Sequence, residues 1–170
     1  MLECFYPKVY LDSTYEINFE QYYKDGYRAI IFDIDNTLVP HGAPADERAI
    51  ALFKRLHQLG YQTLISNNKE PRVKMFCDAV DAEYIYKAGK PDPAKYLEAM
   101  KRMGSDVGNT LFVGDQIFTD VWGANRAGIY SILVKPIHPK EEIQIVLKRY
   151  LEKIVLFWYK KYVRKQQKRG

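Results

Sequence analysis

The sequence predicts a single doubly wound α/β domain: a mostly parallel, five-stranded sheet with helices on both faces, no cap domain, and a long C-terminal helix. Three observations lead there. Short apolar runs alternate with segments whose apolar residues recur at helical spacing, the pattern of βαβ units. Gly26, Gly60, Gly104 and Gly128 each stand between a helical segment and the next apolar run, where a glycine terminator belongs. The chain has 170 residues, 47% of them hydrophobic and 28% charged, which suits one globular domain and is too short for two ordinary ones.

Taken in order, a short helix is expected from about Ile17 to Lys24, closed by Gly26. The first strand follows, roughly Arg28 to Ile34, and Pro40, Gly42 and Pro44 mark a loop. Asp46 caps a helix on which Ala49, Leu52, Phe53, Leu56 and Leu59 share a face, and Gly60 stops it. Tyr61 to Ser66 reads as the second strand. A helix over about Glu70 to Val80 leads to a short third strand at Tyr84–Tyr86. After the stiff loop Lys87–Pro93, Asp92 and Pro93 open a helix that runs to Met103. Thr110–Gly114 is the fourth strand, about Thr119 to Ala127 a helix, and Ile129–Val134 the fifth strand. Residues 1–139 are read as the domain, with its motifs within 28–134, and residues 140–170 as an amphipathic, basic helix.

Composition narrows the class. Cys4 and Cys77 are far apart and fit neither a disulfide framework nor a zinc site, which suits a reducing cytosol. His41, His57 and His138 are scattered. The first residues lack the basic and apolar regions of a secretory signal, and no run approaches the roughly 18 apolar residues of a spanning helix. The formal charge is +5, but six of the 26 Lys and Arg fall within 160–170, where no acid stands. Residues 1–159 therefore carry 20 basic against 21 acidic side chains, a net −1. The basic character belongs to the tail.

The first strand carries the most unusual residues. Its apolar run of Ile30, Ile31, Phe32 and Ile34 contains two carboxylates, Asp33 and Asp35, followed by Asn36 and Thr37. A carboxylate at the end of a buried strand resists ionisation unless a cation or hydrogen bonds compensate, and a hard divalent ion such as Mg²⁺ is the natural partner for two. A strand ending at Ile31 before a solvated turn would read the same. Further along, Ser66 ends the second strand, Lys90 lies in the loop after the third, and Asp115 follows the fourth, with Asp120 close behind. Singly, each has a plain alternative as a cap, a turn residue or a solvated lysine. Together they fall on the carboxyl edge of a parallel sheet, where such folds bind ligands. The residue types suit phosphoryl transfer: a carboxylate to attack phosphorus, a second to move the proton, and acids, a hydroxyl and a lysine to surround the phosphoryl oxygens.

At these residues the chain resembles the haloacid dehalogenase (HAD) superfamily. Asp33-Ile-Asp-Asn-Thr-Leu38 is similar to its first motif, Ser66 to the second, Lys90 within Gly89-Lys-Pro91 to the third, and Gly114-Asp-Gln-Ile-Phe-Thr-Asp120 to the fourth. The resemblance implies Asp33 as nucleophile and Asp35 as general acid/base. It implies Mg²⁺ held by Asp33, Asp115 and the backbone carbonyl of Asp35, with Asp120 supporting, and phosphate contacts from Ser66, Asn67 and Lys90. Thirty residues separate Asp35 from Ser66 and 23 separate Ser66 from Lys90, too few for a cap domain. Length, missing caps and the Asp-Asn-Thr-Leu and Ser66-Asn-Asn68 details look most like the YqeG-type members of subclass IIIA, similar to phosphatidylglycerophosphatases. The expected substrate is then phosphatidylglycerophosphate. A soluble or protein phosphomonoester is the first alternative. A non-catalytic, receiver-like phospho-switch or membrane adaptor is the second.

Lys140 to about Lys168 reads as one helix. Ile143, Val146, Leu147, Tyr150, Leu151, Ile154, Phe157 and Trp158 form a stripe whose default meaning is packing on the domain. From Ile154 onward Leu156, Tyr159 and Val163 make the helix apolar nearly all round, and Lys160, Lys161, Arg164, Lys165, Lys168 and Arg169 follow. That combination over residues 154–169 suits an anionic membrane surface. A dimer seam, a solvated end or a nucleic-acid contact are the alternatives, and the net −1 of the rest of the chain disfavours nucleic acid. The expected place is cytoplasmic, peripheral on the inner face of the membrane.

Overall fold

The computed structural model describes residues 2–66, 70–86, 89–138 and 143–168, with side chains in the last segment from Val146 onward. Asn67 and Arg169, and the start of the last helix before Ile143, lie outside the described residues. The chain runs β1 (Val9–Leu11), α1 (Phe19–Lys24), β2 (Ala29–Phe32), α2 (Glu47–Leu59), β3 (Gln62–Ser66), α3 (Glu70–Val80), β4 (Glu83–Ile85), α4 (Ala94–Met103), β5 (Thr110–Gly114), α5 (Trp122–Arg126), β6 (Tyr130–Val134) and α6 (Ile143–Gln167). All strands pair in parallel, in the order β1-β6-β5-β2-β3-β4.

The sheet has six strands where the sequence reading expects five. The additional strand, β1, is three half-buried residues that pair with β6 at the sheet edge. So short a segment has no period to detect, and only its long-range partner makes it a strand. The first predicted strand is also shorter than expected. It ends at Phe32, so Asp33 and Asp35 stand just past its carboxyl end.

The two faces of the sheet take alternate residues of each strand. Ile30 and Phe32 pack with Phe19 of α1, Phe53 and Leu56 of α2, and Phe76 of α3. Ile31 and Phe112 pack on the opposite face with Tyr96, Ala99 and Met100 of α4 and Ala124 of α5. Burial on both faces is why the central strands read as unbroken apolar runs. Two caps act as expected: Asp46 accepts the Ala49 N–H and Gly60 takes φ +100°. Helix α4 starts one residue later than expected, with Pro93 at its N-cap and Asp92 before it accepting the Ala94 N–H. Among the described residues only α2 lies between β2 and β3 and only α3 between β3 and β4, with no cap domain.

Two elements differ from expectation in a way that shapes the site. The helix expected from Thr119 is a π-helical turn over Ile117–Val121 that runs into α5. Wide turns of this kind recur near functional sites. The last helix is present, but its apolar stripe faces outward. Leu147, Tyr150, Leu151, Ile154, Phe157 and Trp158 are all exposed, from 48 to 68%. Glu152, Val155 and Tyr159 are the buried positions instead. The reason is polar: Arg149 and Glu152 on that narrower face satisfy groups at the carboxyl end of β5, described below.

Candidate active site

The strand order reverses at β2, because the chain leaves β2 for β3 and β4 on one side and returns through β5 on the other. The crevice beyond the carboxyl ends of β2 and β5 is therefore the place a ligand is expected. Register fixes what stands there. Phe32 pairs with both Ile65 and Val113, so Asp33 lies level with Ser66 of β3 and Gly114 of β5. The Asp33 N–H donates to the Val113 carbonyl at 3.0 Å, which extends the ladder one residue past the strand.

After Asp33 the chain reverses. The Asn36 N–H donates to Val39 O at 2.8 Å, and Asn36 takes φ +62°, a left-handed conformation that asparagine tolerates better than most residues. The N-terminal segment braces this turn. Thr14 donates its hydroxyl to Thr37 O at 2.8 Å and Tyr15 donates to Leu38 O at 2.6 Å. The turn sends Thr37 toward β5, where its hydroxyl donates to Asp115 Oδ1 at 3.0 Å. It sends Asp35 the other way. Asp35 Oδ1 accepts the Gly42 N–H at 2.9 Å and Arg72 Nη2 at 3.0 Å.

Asp33, Asp115 and Asp120 come together. Each is buried and offers a carboxylate oxygen within 4.8 Å of the other two. Lys90, 7% exposed, donates to Asp33 Oδ1 at 2.7 Å and to Asp120 Oδ1 at 2.9 Å. Asp120 is folded back from the π-helical turn, and its Oδ2 accepts the backbone N–H groups of Asp115 and Gln116. A glycine at position 114 allows this. A Cβ there would sit 2.5 Å from Asp120 Oδ2 and 2.7 Å from its Cγ.

The electrostatics follow from burial. Desolvation raises the pKa of Asp33 from 3.8 to about 7, with Asp120 adding and Lys90 opposing. Desolvation, then Asp120 and Asp33, raises Asp115 well above the ordinary range against the pull of Arg149. Burial works against the charge on Lys90, but Asp120 and Asp33 outweigh it and raise its pKa. Among the described residues, these three carboxylates are ion-paired to Lys90 and Arg149, so negative charge is in excess in a dry site. An all-oxygen donor set with surplus negative charge fits a hard divalent cation such as Mg²⁺, and Asp33, Asp115 and Asp120 are the side chains placed to hold one. The Asp35 side chain stands outside that cluster, turned to Gly42 and Arg72.

Of the residues singled out from sequence, the structure gathers Asp33, Lys90, Asp115 and Asp120 by direct contact and places Ser66, buried, at the same level of the sheet. Four residues escape the sequence reading. Thr37 lies inside the first motif and could have been found there. Arg72 comes from the first turns of α3, and its Nε and Nη1 are buried with no hydrogen-bond acceptor among the described residues. Arg149 donates Nη1 to Asp115 O at 2.6 Å and Nη2 to Asp115 Oδ2, and pairs with Glu152 at 2.9 Å. Glu152 in turn accepts the Ile117 N–H at 2.7 Å. Nothing in the local pattern of α6 marks these two.

Comparison with known proteins identifies the family. The family described as haloacid dehalogenase-like hydrolase matches residues 43–128, half of the chain. "Probable phosphatase YqeG" of Bacillus subtilis (strain 168) is 34% identical over 159 residues, covering 92% of each chain. Phosphatidylglycerophosphate phosphatase 1, chloroplastic/mitochondrial, of Arabidopsis thaliana is 27% identical over 176 residues, covering 94% of this chain and 48% of its own length. A crystal structure of an uncharacterized protein from Listeria monocytogenes serotype 4b shares the fold, with a TM-score of 0.52 at 19% identity over 68% of this chain and 86% of that one. The family match over half the chain and the full-length relative above 30% identity carry one conclusion: this chain belongs to the haloacid dehalogenase-like hydrolases.

Proposed function

We propose that this protein is a Mg²⁺-dependent phosphomonoester hydrolase that works through an aspartyl-phosphate on Asp33, and that phosphatidylglycerophosphate at a membrane surface is its substrate. The observation that carries the chemistry is the division of labour between the two carboxylates of one turn. Asp33 sits in the acidic cluster beside Lys90, while Asp35, two residues on, is held apart by Gly42 and Arg72. In the first step an Asp33 oxygen forms a bond to phosphorus, the bond from phosphorus to the ester oxygen breaks, and Asp35 gives that oxygen its proton. In the second step Asp35 takes a proton from the attacking water, the bond from Asp33 to phosphorus breaks, and inorganic phosphate leaves. Lys90 and Ser66 donate to the phosphoryl oxygens, and Thr37 and Arg149 orient Asp115. Asp33, Asp115 and the Asp35 carbonyl would hold the divalent ion, which would supply charge withdrawal from the phosphoryl group and keep these buried carboxylates ionised.

Support for the lipid substrate comes from the plant relative's printed activity, from the absence of a cap among the described residues, and from α6. An open site suits a head group presented at a surface. The helix shows outward-facing Leu151, Ile154, Phe157 and Trp158 next to Lys160, Lys161, Arg164 and Lys165. No helix among the described residues is long and apolar enough to cross a membrane, so the proposed attachment is peripheral. The test is turnover of phosphatidylglycerophosphate in mixed micelles against a panel of soluble phosphomonoesters, by the wild type and Asp33→Asn. The reading expects phosphate release from the lipid at the highest kcat/KM and none from the variant. Near-normal turnover by pure Asp33→Asn would overturn the mechanism, and a soluble ester preferred over the lipid would overturn the substrate.

A further inference from the structure

A cavity of about 410 Å³ lies between α6 and the carboxyl edge of the sheet, on the β1–β6 side of Asp115. Buried Leu133 and Val134 and half-buried Tyr10 form its floor, and exposed Pro136 also lines it. Exposed Val146 and Tyr150 form its outer lip, Arg149 and Lys153 of the same helix line it, and Asp115 contributes to its wall. Its volume lies within the roughly 300–1,000 Å³ of small-ligand sites. Val146 and Tyr150 belong both to this cavity and to the exposed apolar face of α6, so the cavity opens onto that face.

Resting on the phosphatase reading above, we propose that this cavity seats the hydrocarbon chain of the substrate, an acyl chain of an anionic glycerophospholipid. Three features select that occupant. The floor is apolar, so it suits a hydrocarbon rather than a polar head. Lys153 in the lining, its ammonium 4.9 Å from the Tyr150 ring centroid, supplies a cation for the phosphodiester of such a lipid. Asp115 belongs both to the cavity lining and to the acidic cluster, and Val146 and Tyr150 belong both to the lining and to the helix face proposed to meet the membrane, so the cavity stands between the two. A soluble substrate would leave this apolar volume unused.

The experiment separates the cavity from surface attachment by using monomeric substrates. Phosphate release is measured on a series of monoacyl glycerophosphoglycerol phosphates with increasing chain length, all below their aggregation concentration, together with the chainless parent. The wild type should gain up to about fourfold in kcat/KM per added methylene until the cavity is full, then level off. Val146→Trp, placed on the lip, should flatten that series relative to the chainless parent. Lys153→Gln should lower kcat/KM for the whole series while keeping its slope. A wild-type series without chain-length dependence, or one that Val146→Trp leaves as steep, overturns the cavity while the phosphatase reading stands. No release from any member by the wild type overturns both.

Discussion

Arg149 of α6 donates to both the carboxylate and the backbone carbonyl of Asp115, so the last helix of the chain is clamped onto the end of β5 beside the acidic cluster. The same guanidinium reaches Glu152, which holds the Ile117 N–H. A helix with an ample apolar stripe thus docks through a narrower face, on which Arg149 and Glu152 stand beside Val155 and Tyr159.

Arg149→Gln should show how much that clamp contributes. Removing one partner of a buried ion pair leaves the other uncompensated and typically costs about 3–5 kcal/mol, with Arg149 toward the low end because it is partly exposed. Thermal unfolding in chelator should move to clearly lower temperature. Mg²⁺ should restore part of the loss by supplying a counter-charge to Asp115. An unchanged Tm in chelator would show that the contact does not anchor the helix.

Stability of the metal-free protein should fall as pH rises through the window from about 4 to about 7. Asp33 and Asp115 have raised pKa values in the fold, so there the native state binds more protons than the unfolded chain. The slope of unfolding free energy with pH is then negative for these groups, and their destabilisation is complete above the folded pKa. Bound Mg²⁺ favours the ionised carboxylates and reverses this contribution. The Mg²⁺-induced rise in Tm should therefore be larger at pH 7.5 than at pH 5, and the reverse order would contradict the metal assignment.

Arg72→Gln should lower kcat by roughly ten- to hundredfold, the range set by a lost charged hydrogen bond of about 1.5–3 kcal/mol that positions Asp35. Arg72→Lys should recover part of it, because a lysine retains the charge but not the planar fork. Circular dichroism of both variants should match the wild type. A normal kcat in Arg72→Gln would remove Arg72 from the machinery.

Gly114→Ala should impair activity despite adding a single methyl. That methyl would collide with the Asp120 carboxylate, which then could not hold the Asp115 and Gln116 N–H groups or meet Lys90. A kinetic assay with titrated Mg²⁺ should show a higher metal requirement. Wild-type behaviour would mean that Asp120 has room to move without consequence.

Replacing Lys160, Lys161, Arg164, Lys165, Lys168 and Arg169 with Gln should weaken binding to anionic vesicles while leaving hydrolysis of a small soluble ester nearly unchanged. Each charge near such a surface contributes up to about 1 kcal/mol, and salt screens it. Co-sedimentation at rising ionic strength checks this. Equal binding by both proteins would take the membrane role from the tail.

The order of strands and helices, the glycine stops, the Asp46 cap and the residues at the strand ends could all be read along the chain. Each rests on local physics: periodicity, left-handed termini, and carboxylates placed where an apolar run stops. The motif spacing also foretold that no cap domain stands among the described residues. What needed the folded molecule was everything set by partners far away in sequence. Three residues at Val9–Leu11 become a strand because β6 offers an open edge. Arg72 meets Asp35 across 37 positions, and Arg149 meets Asp115 across 34. The orientation of α6 turned on the same kind of contact. Its hydrophobic pattern pointed the apolar stripe inward, but a buried Asp115 carboxylate and the Ile117 N–H demanded partners, and leaving such groups unpaired costs more than leaving leucines exposed. Polar satisfaction at one strand end thus turned the apolar face of the last helix toward solvent.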